Sequence, residues 1–439
     1  MSRRVVITGL GAVSGLGIGM DVLWEGACAG RSAIAPIEAF ETDGFDSRIG
    51  SEVRDFSVKK FVPKTYRKAT KVMARDIELA VAAAELAVRD AKMVTPGVEP
   101  DGERTYEGPR VGAHIGAGLI AADIDELTEA FAEATDAEGN FDIHRWGEEG
   151  MTHLTPLWLL KYLPNMLACH VTIIHDAQGP SNTITCGEAS SGLSIGESMR
   201  VIERGNADAC FCGGAESKMN PMAFYRQILA GRVTSQNAKP AEALRPFDNA
   251  ADGTAIGEGG GIIVLEALEV AEQRGARAYA EVVGIGASHT IYPEGEGLEP
   301  HPEGKGIASA IKAALRDAGL EADAIDAIVP TGSAVPSYDR SEAAALRAVF
   351  GDRLKSVPIC PVKPFVGNCG AGAGGIEAAV AAKMIHEQKL PARINCDDPI
   401  EGLSAGTEAS RDAKLGHVLV MSTSLGGQNV AMVLKKAST

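Results

Sequence analysis

One stretch of the chain, residues 179–197, has residue types and spacing suited to covalent chemistry. Gly179-Pro180 signals a turn, and Asn182 to Cys186 forms a short β-prone run. Small residues then lead into a helical pattern at Leu193, Ile195, Met199, Val201 and Ile202. A strand, a tight turn and a helix in that order present a side chain at a helix N-terminus, where the dipole favours a thiolate. Cys186 is the thiol at hand, but the pattern puts it at the end of the strand, where a buried packing role competes with nucleophilic use.

Other motifs carry less. Cys210-x-Cys212 lies in a buried-strand pattern from Ala207 to Gly213, with both thiols on one side, which suits packing better than metal or redox chemistry. Gly9-x-Gly11 follows a strand-like run, Val5 to Thr8, but its spacing to Gly15 and Gly17 fits a dinucleotide fingerprint poorly. The eight cysteines show no metal-ligand spacing and suit a reducing compartment. No cofactor or metal is expected.

The bulk properties exclude several classes. The 439 residues suggest two domains or one large duplicated one. A net charge of −16 argues against nucleic acid and anionic membranes, and it disfavours docking of an acidic carrier protein on this chain alone. No apolar run reaches membrane-spanning length, and Met1-Ser2-Arg3-Arg4 leads straight into a strand pattern, so a cytoplasmic protein is expected.

The elements that must position the turn recur in two halves. A helix is expected from about Lys71 to Met93, followed by a strand from Arg110 to Gly116. Residues 34–65 read as a cap of short strands and turns, and the acidic segment 123–149 as helix and exposed loop. His170 and His175 are expected to flank a strand ahead of the turn. Ala84 to Ala91 is echoed by Ile311 to Ala318, and each run is followed by a short loop and a strand. The small-residue helix after Glu188 is matched by the one after Gly367-Asn368-Cys369-Gly370. The apolar strands Ala207–Gly213 and His417–Ser422 follow those helices. Alternating strands and helices imply an α/β fold with parallel-rich sheets, divided into halves 1–266 and 267–439.

Residues 179–197 resemble the nucleophile elbow of the β-ketoacyl synthases, the condensing enzymes of fatty-acid and polyketide synthesis. The resemblance extends through Gly213-Gly214-Ala215-Glu216, Arg245-Pro246-Phe247-Asp248, Gly257 to Gly261 and Leu425-Gly426-Gly427-Gln428-Asn429. It implies a thiolase-like fold, two similar βαβαβ halves in an α-β-α-β-α layered arrangement. It also implies a chemistry in which a thiolate takes an acyl chain and two histidines support decarboxylation of malonyl.

The register of that family motif places Glu188 at the catalytic cysteine. Thr331 stands where the first histidine belongs, before Gly332, and Asn368 where the second belongs, five residues after Lys363. The resemblance retains Lys363, Glu377 and Asp339, with Lys363 and Glu377 suited to a structural ion pair. Thr423 and Leu425, next to Gly426, occupy the two aromatic positions of the family motif whose phenylalanine gates the pocket. None of the nine histidines falls in a family motif. Whether the pKa of Glu188 rises by burial or falls through the helix dipole and a nearby Lys363 is open.

The pattern narrows to the chain-length factors of type II polyketide synthases, which lack the cysteine, usually carrying Gln there, and pair with an active synthase subunit. Gln227-Ile228-Leu229-Ala230-Gly231-Arg232 and Val335-Pro336-Ser337-Tyr338-Asp339 are similar to their segments. The resemblance implies a catalytically silent subunit in a heterodimer with an active ketosynthase, meeting acyl carrier protein through that partner. Leu119, Ile120 and Ala122 loosely match the segment that lines the product tunnel. Two enzymatic alternatives stand beside this reading, a malonyl-carrier-protein decarboxylase and an atypical 3-oxoacyl synthase using Cys186.

Overall fold

The computed structural model describes residues 3–292, 294 and 299–437. Nine strands and six helices carry the architecture. The strands are β1 (Val5–Ser14), β2 (Val111–Ala117), β3 (Ser181–Ile184), β4 (Ala209–Glu216), β5 (Gly259–Ala267), β6 (Ala280–His289), β7 (Ala327–Val329), β8 (His417–Thr423) and β9 (Gln428–Lys435). The helices are α1 (Arg75–Asp90), α2 (Met166–His175), α3 (Ser190–Glu203), α4 (Lys305–Ala318), α5 (Pro336–Phe350) and α6 (Ala373–Glu387).

The strands run in the order β7-β8-β9-β6-β1-β5-β4-β2-β3, and the two-residue strand Gly17–Ile18 pairs beside β1. The halves meet at a short antiparallel seam, Val6 opposite Glu281 and Ile7 opposite Ala280. On either side of the seam the order repeats. The sequence β1-β5-β4-β2 has parallel β2 and β4 at one end, and β6-β9-β8-β7 has parallel β7 and β8 at the other. The role of β3 beside β2 is taken in the second half by a single parallel bridge, Ile328 to Ile359.

Alternation along the strands builds three cores. The central one places Ile7, Leu10, Cys210, Cys212 and Ile263 against Ile195 and Met199 of α3 and Ile376 to Ile385 of α6. Phe211, pointing to the opposite face of β4, joins the outer core under α1. A second outer core lies between α4, α5 and the strand residues Ile328, Leu419 and Val433. The result is the expected α-β-α-β-α layering, with the small-residue helices α3 and α6 sandwiched in the middle.

Gly9 and Gly11 have a packing reason. A Cβ at Gly9 would lie 2.2 Å from the Ala87 carbonyl oxygen of α1, and one at Gly11 would lie 1.9 Å from that of Ala83. The second half repeats this, Gly284 against Ala314 of α4 and Gly286 against Ala310. A register shift precedes Gly9 in β1 and Gly284 in β6 alike.

Two local expectations are corrected. The helix expected over 71–93 is shorter, since residues 69–72 make a separate 3-10 turn. His170 and His175 lie within α2 and do not flank a strand; ten residues, largely apolar, form helix until Asp176 adopts φ 55°. His170 shares a hydrogen bond with the Tyr66 hydroxyl and His175 one with that of Thr95, each at 2.8 Å. Burial lowers both pKa values, that of His175 to about 3, so both are packing residues held neutral.

Candidate functional site

The elbow is built from short hydrogen bonds among small side chains. After β3, Cys186 donates its backbone N–H to Ser190 Oγ at 2.8 Å, and a 3-10 turn over Gly187–Ala189 runs into α3. Gly187 takes φ 54°, a left-handed conformation that costs a side-chain-bearing residue energy. Ser191 donates to the Ala371 carbonyl before α6, and Ser194 donates to that of Gly213 in β4 at 2.7 Å. The first turn of α3 is thereby fastened to both halves of the molecule.

Glu188 sits in the 3-10 turn that leads into α3 and is buried. Arg232, only 5% exposed, donates Nη2 to Glu188 Oε1 at 2.6 Å. Asn368 Nδ2 donates to the same oxygen at 3.3 Å. Burial pushes the Glu188 carboxyl up, but the charges of Arg232 and Lys218 and the Arg232 hydrogen bond outweigh it and hold the pKa at about 2. The open sign is resolved towards a permanent carboxylate, and the cation that pairs with Glu188 is Arg232, not Lys363.

Cys186 is not a buried strand residue. It follows β3, half-buried, at the mouth of the turn, and burial raises its thiol pKa. The field that favours an anion acts on Glu188 instead.

Thr331 and Asn368 join this centre, each engaged in structure. Thr331 Oγ1 accepts the Thr423 backbone N–H at 2.9 Å, and Asn368 Oδ1 accepts that of Gly370 at 3.1 Å. Lys363 donates Nζ to Glu377 Oε1 and to the Thr331 carbonyl, both at 2.5 Å, in a pair whose side chains are 2% and 1% exposed. Burial raises the Glu377 carboxyl against the pull of Lys363. Asp339 accepts backbone N–H groups from Ser333, Ala334 and Phe247. Glu342 accepts those of Thr331 and Gly332. These two carboxylates pin the loop carrying Thr331, including Ala334 at φ 61°, and Asp339 ties it to the distant turn at Phe247, φ 60°.

Thr423 and Gly426 border a cavity of about 220 Å³ with Tyr338, His301 and Ser424, while Leu425 lies half-buried outside its lining. The segment after β2 divides. Leu119 is 68% exposed, Ala122 is half-buried, and Ile120 with Ala121 lines a cavity of about 1140 Å³. The rest of that wall is strongly charged, with Arg75, Asp76, Glu78, Lys161 and Glu258, so it is no simple aliphatic sleeve. Among the described residues no cluster of three or more His, Cys, Asp or Glu side chains could hold a metal ion.

Comparison with known proteins agrees with the geometry. The model of the β-ketoacyl synthase N-terminal domain matches residues 2–271, and that of the C-terminal domain residues 279–397. The 3-oxoacyl-[acyl-carrier-protein] synthase 2 of Synechocystis is 31% identical over 436 residues, covering 99% of this chain and 98% of its own. The ishigamide ketosynthase/chain length factor superposes with a TM-score of 0.83 at 28% identity, over the full length of both chains. A type II PKS acyl-carrier protein in complex with its ketosynthase bound to the hexaketide supplies a second match, with a TM-score of 0.81 at 25% identity and full coverage of both chains.

Proposed function

The chain belongs to the β-ketoacyl synthase family, and from that premise we propose that it is a catalytically silent, chain-length-factor-like subunit pairing with an active ketosynthase in fatty-acid or polyketide chain elongation. One observation carries the reading: a buried carboxylate, ion-paired to Arg232, stands where the family requires a thiolate. A carboxylate forms no thioester, and Thr331 and Asn368, each engaged in a structural hydrogen bond, carry no imidazole to stabilise an enolate.

The surface supports pairing. Among the described residues β3 pairs only with β2 and leaves its other edge open, with Ser181 and Asn182 exposed. Exposed apolar side chains follow β2 at Leu119, lie on α2 at Ile173 and precede α2 at Leu157 and Leu159. The net charge of −16 favours a partner that presents the basic surface an acidic carrier protein needs. Among the described residues no helix is long and apolar enough to cross a membrane.

The test is co-expression with an active ketosynthase, followed by size-exclusion chromatography and native mass. A stable one-to-one complex that condenses acyl and malonyl carrier-protein thioesters is expected, with neither activity nor acylation from this chain alone. Condensation by the isolated chain would overturn the proposal.

A further inference from the structure

We propose that Arg232, Asn368 and the turn entering α3 form a carboxylate-binding site that the chain fills with its own Glu188. The site is built from separate parts of the fold, since Arg232 lies 44 residues from Glu188 and Asn368 lies 180. Arg232 follows the helix Pro221–Leu229 and reaches inward to the elbow, where solvent is excluded. Its Nη2 and the Asn368 amide both converge on one carboxylate oxygen. Among the described residues its buried Nε has no hydrogen-bond partner, so the guanidinium has donor capacity left over. Its Nη1 donates to Gln227 Oε1 at 3.5 Å, and its Cζ lies 5.7 Å from the Tyr338 ring centroid. Lys218, paired to Glu216, adds positive charge to the same field.

A guanidinium in this position neither loses its proton nor regains its hydration, so the site requires an anion whatever side chain stands at 188. The carboxylate need not be covalently attached. Glu188→Ala removes one methylene and one carboxylate, the heavy atoms of acetate, and leaves a space of that shape beside the donors. The ligand class is therefore a free monocarboxylate of one or two carbons. The inference holds whether or not the chain is a silent subunit, because it concerns the anion site alone.

Thermal unfolding of the full-length Glu188→Ala variant, in sodium acetate against equimolar sodium chloride at pH 7, provides the test. Ligand linkage predicts a melting temperature that climbs with the logarithm of acetate concentration in this variant. Formate should act more weakly, and butyrate should fail because its tail meets packed walls. Wild type, already filled, and the Glu188→Ala/Arg232→Leu double variant should show no difference between acetate and chloride. An equal rise in either of those proteins, or no rise in the single variant, would overturn the site. Should the single variant be insoluble, its refolding yield is the readout: a higher yield in acetate than in chloride supports the site, and equal yields contradict it.

Discussion

At the scale of the residue, the pair formed by Glu188 and Arg232 governs what the elbow can do. Removing one member of a buried pair strands the other charge, whereas replacing both by apolar groups is often neutral. The Glu188 carboxyl is held near 2 against an ordinary 4.5, which corresponds to roughly 3 kcal/mol of stability from this group. The sign follows from the depression: the contribution is complete above pH 4.5 and is lost as pH falls towards 2. Glu188→Gln should therefore lower the urea unfolding free energy by up to about 3 kcal/mol at pH 7, with the gap to wild type closing by pH 2–3. Glu188→Leu/Arg232→Leu should recover most of that loss. A gap independent of pH would show that the carboxylate is not held by charge. Glu188→Cys by itself should not condense, because Thr331 and Asn368 still lack imidazoles.

At the scale of the element, the twofold glycine pattern predicts matched effects in the two halves. Gly11→Ala and Gly286→Ala each drive a methyl into a helix carbonyl, so each should destabilise by about 3 kcal/mol, near the top of the range for overpacking. Gly147→Ala, in the helix Ile143–Glu148 with nothing within 4 Å, should not destabilise and should gain up to about 1 kcal/mol by the same chemical denaturation. The tunnel proposal belongs here too. Bulky substitution at Ala122 in the reconstituted pair should shorten the products without weakening the dimer, at about 0.8 kcal/mol per excluded methylene. Unchanged products would remove the segment, and Ala121, which faces the cavity, is the matched comparison. Much of this level was legible in the sequence. The repeat of Ala84–Ala91 in Ile311–Ala318 carries the same helix-to-glycine contacts in both halves. The resemblance to the family's motifs singles out Glu188, Thr331, Asn368 and the Lys363–Glu377 pair, and the fold brings all of them together. Arg232 was readable only as part of a family-like segment, since its ion pair depends on how a distant loop returns to the elbow. The apolar run of α2 has no periodicity that separates a buried helix from a strand.

At the scale of the molecule, buried carboxyls set the pH response. Burial raises Asp76 and Glu342 to about 7 and Asp339 to about 6, from ordinary values near 4. A raised carboxyl stabilises the fold fully below its unfolded pKa, and that contribution is lost as pH climbs through the folded value. Stability should then decline from pH 5 to pH 8, a trend that growing self-repulsion in a chain of net charge −16 reinforces. Urea midpoints at the two pH values check this, and a higher midpoint at pH 8 would contradict it. The central claim is that this scaffold holds an acidic anchor where the family holds its nucleophile. Its most direct test is the intact mass of both subunits after the reconstituted pair meets acyl carrier-protein thioesters. The account predicts an acyl adduct on the ketosynthase partner and an unmodified mass for this chain. A stoichiometric adduct on this chain, at Cys186 above all, would contradict it.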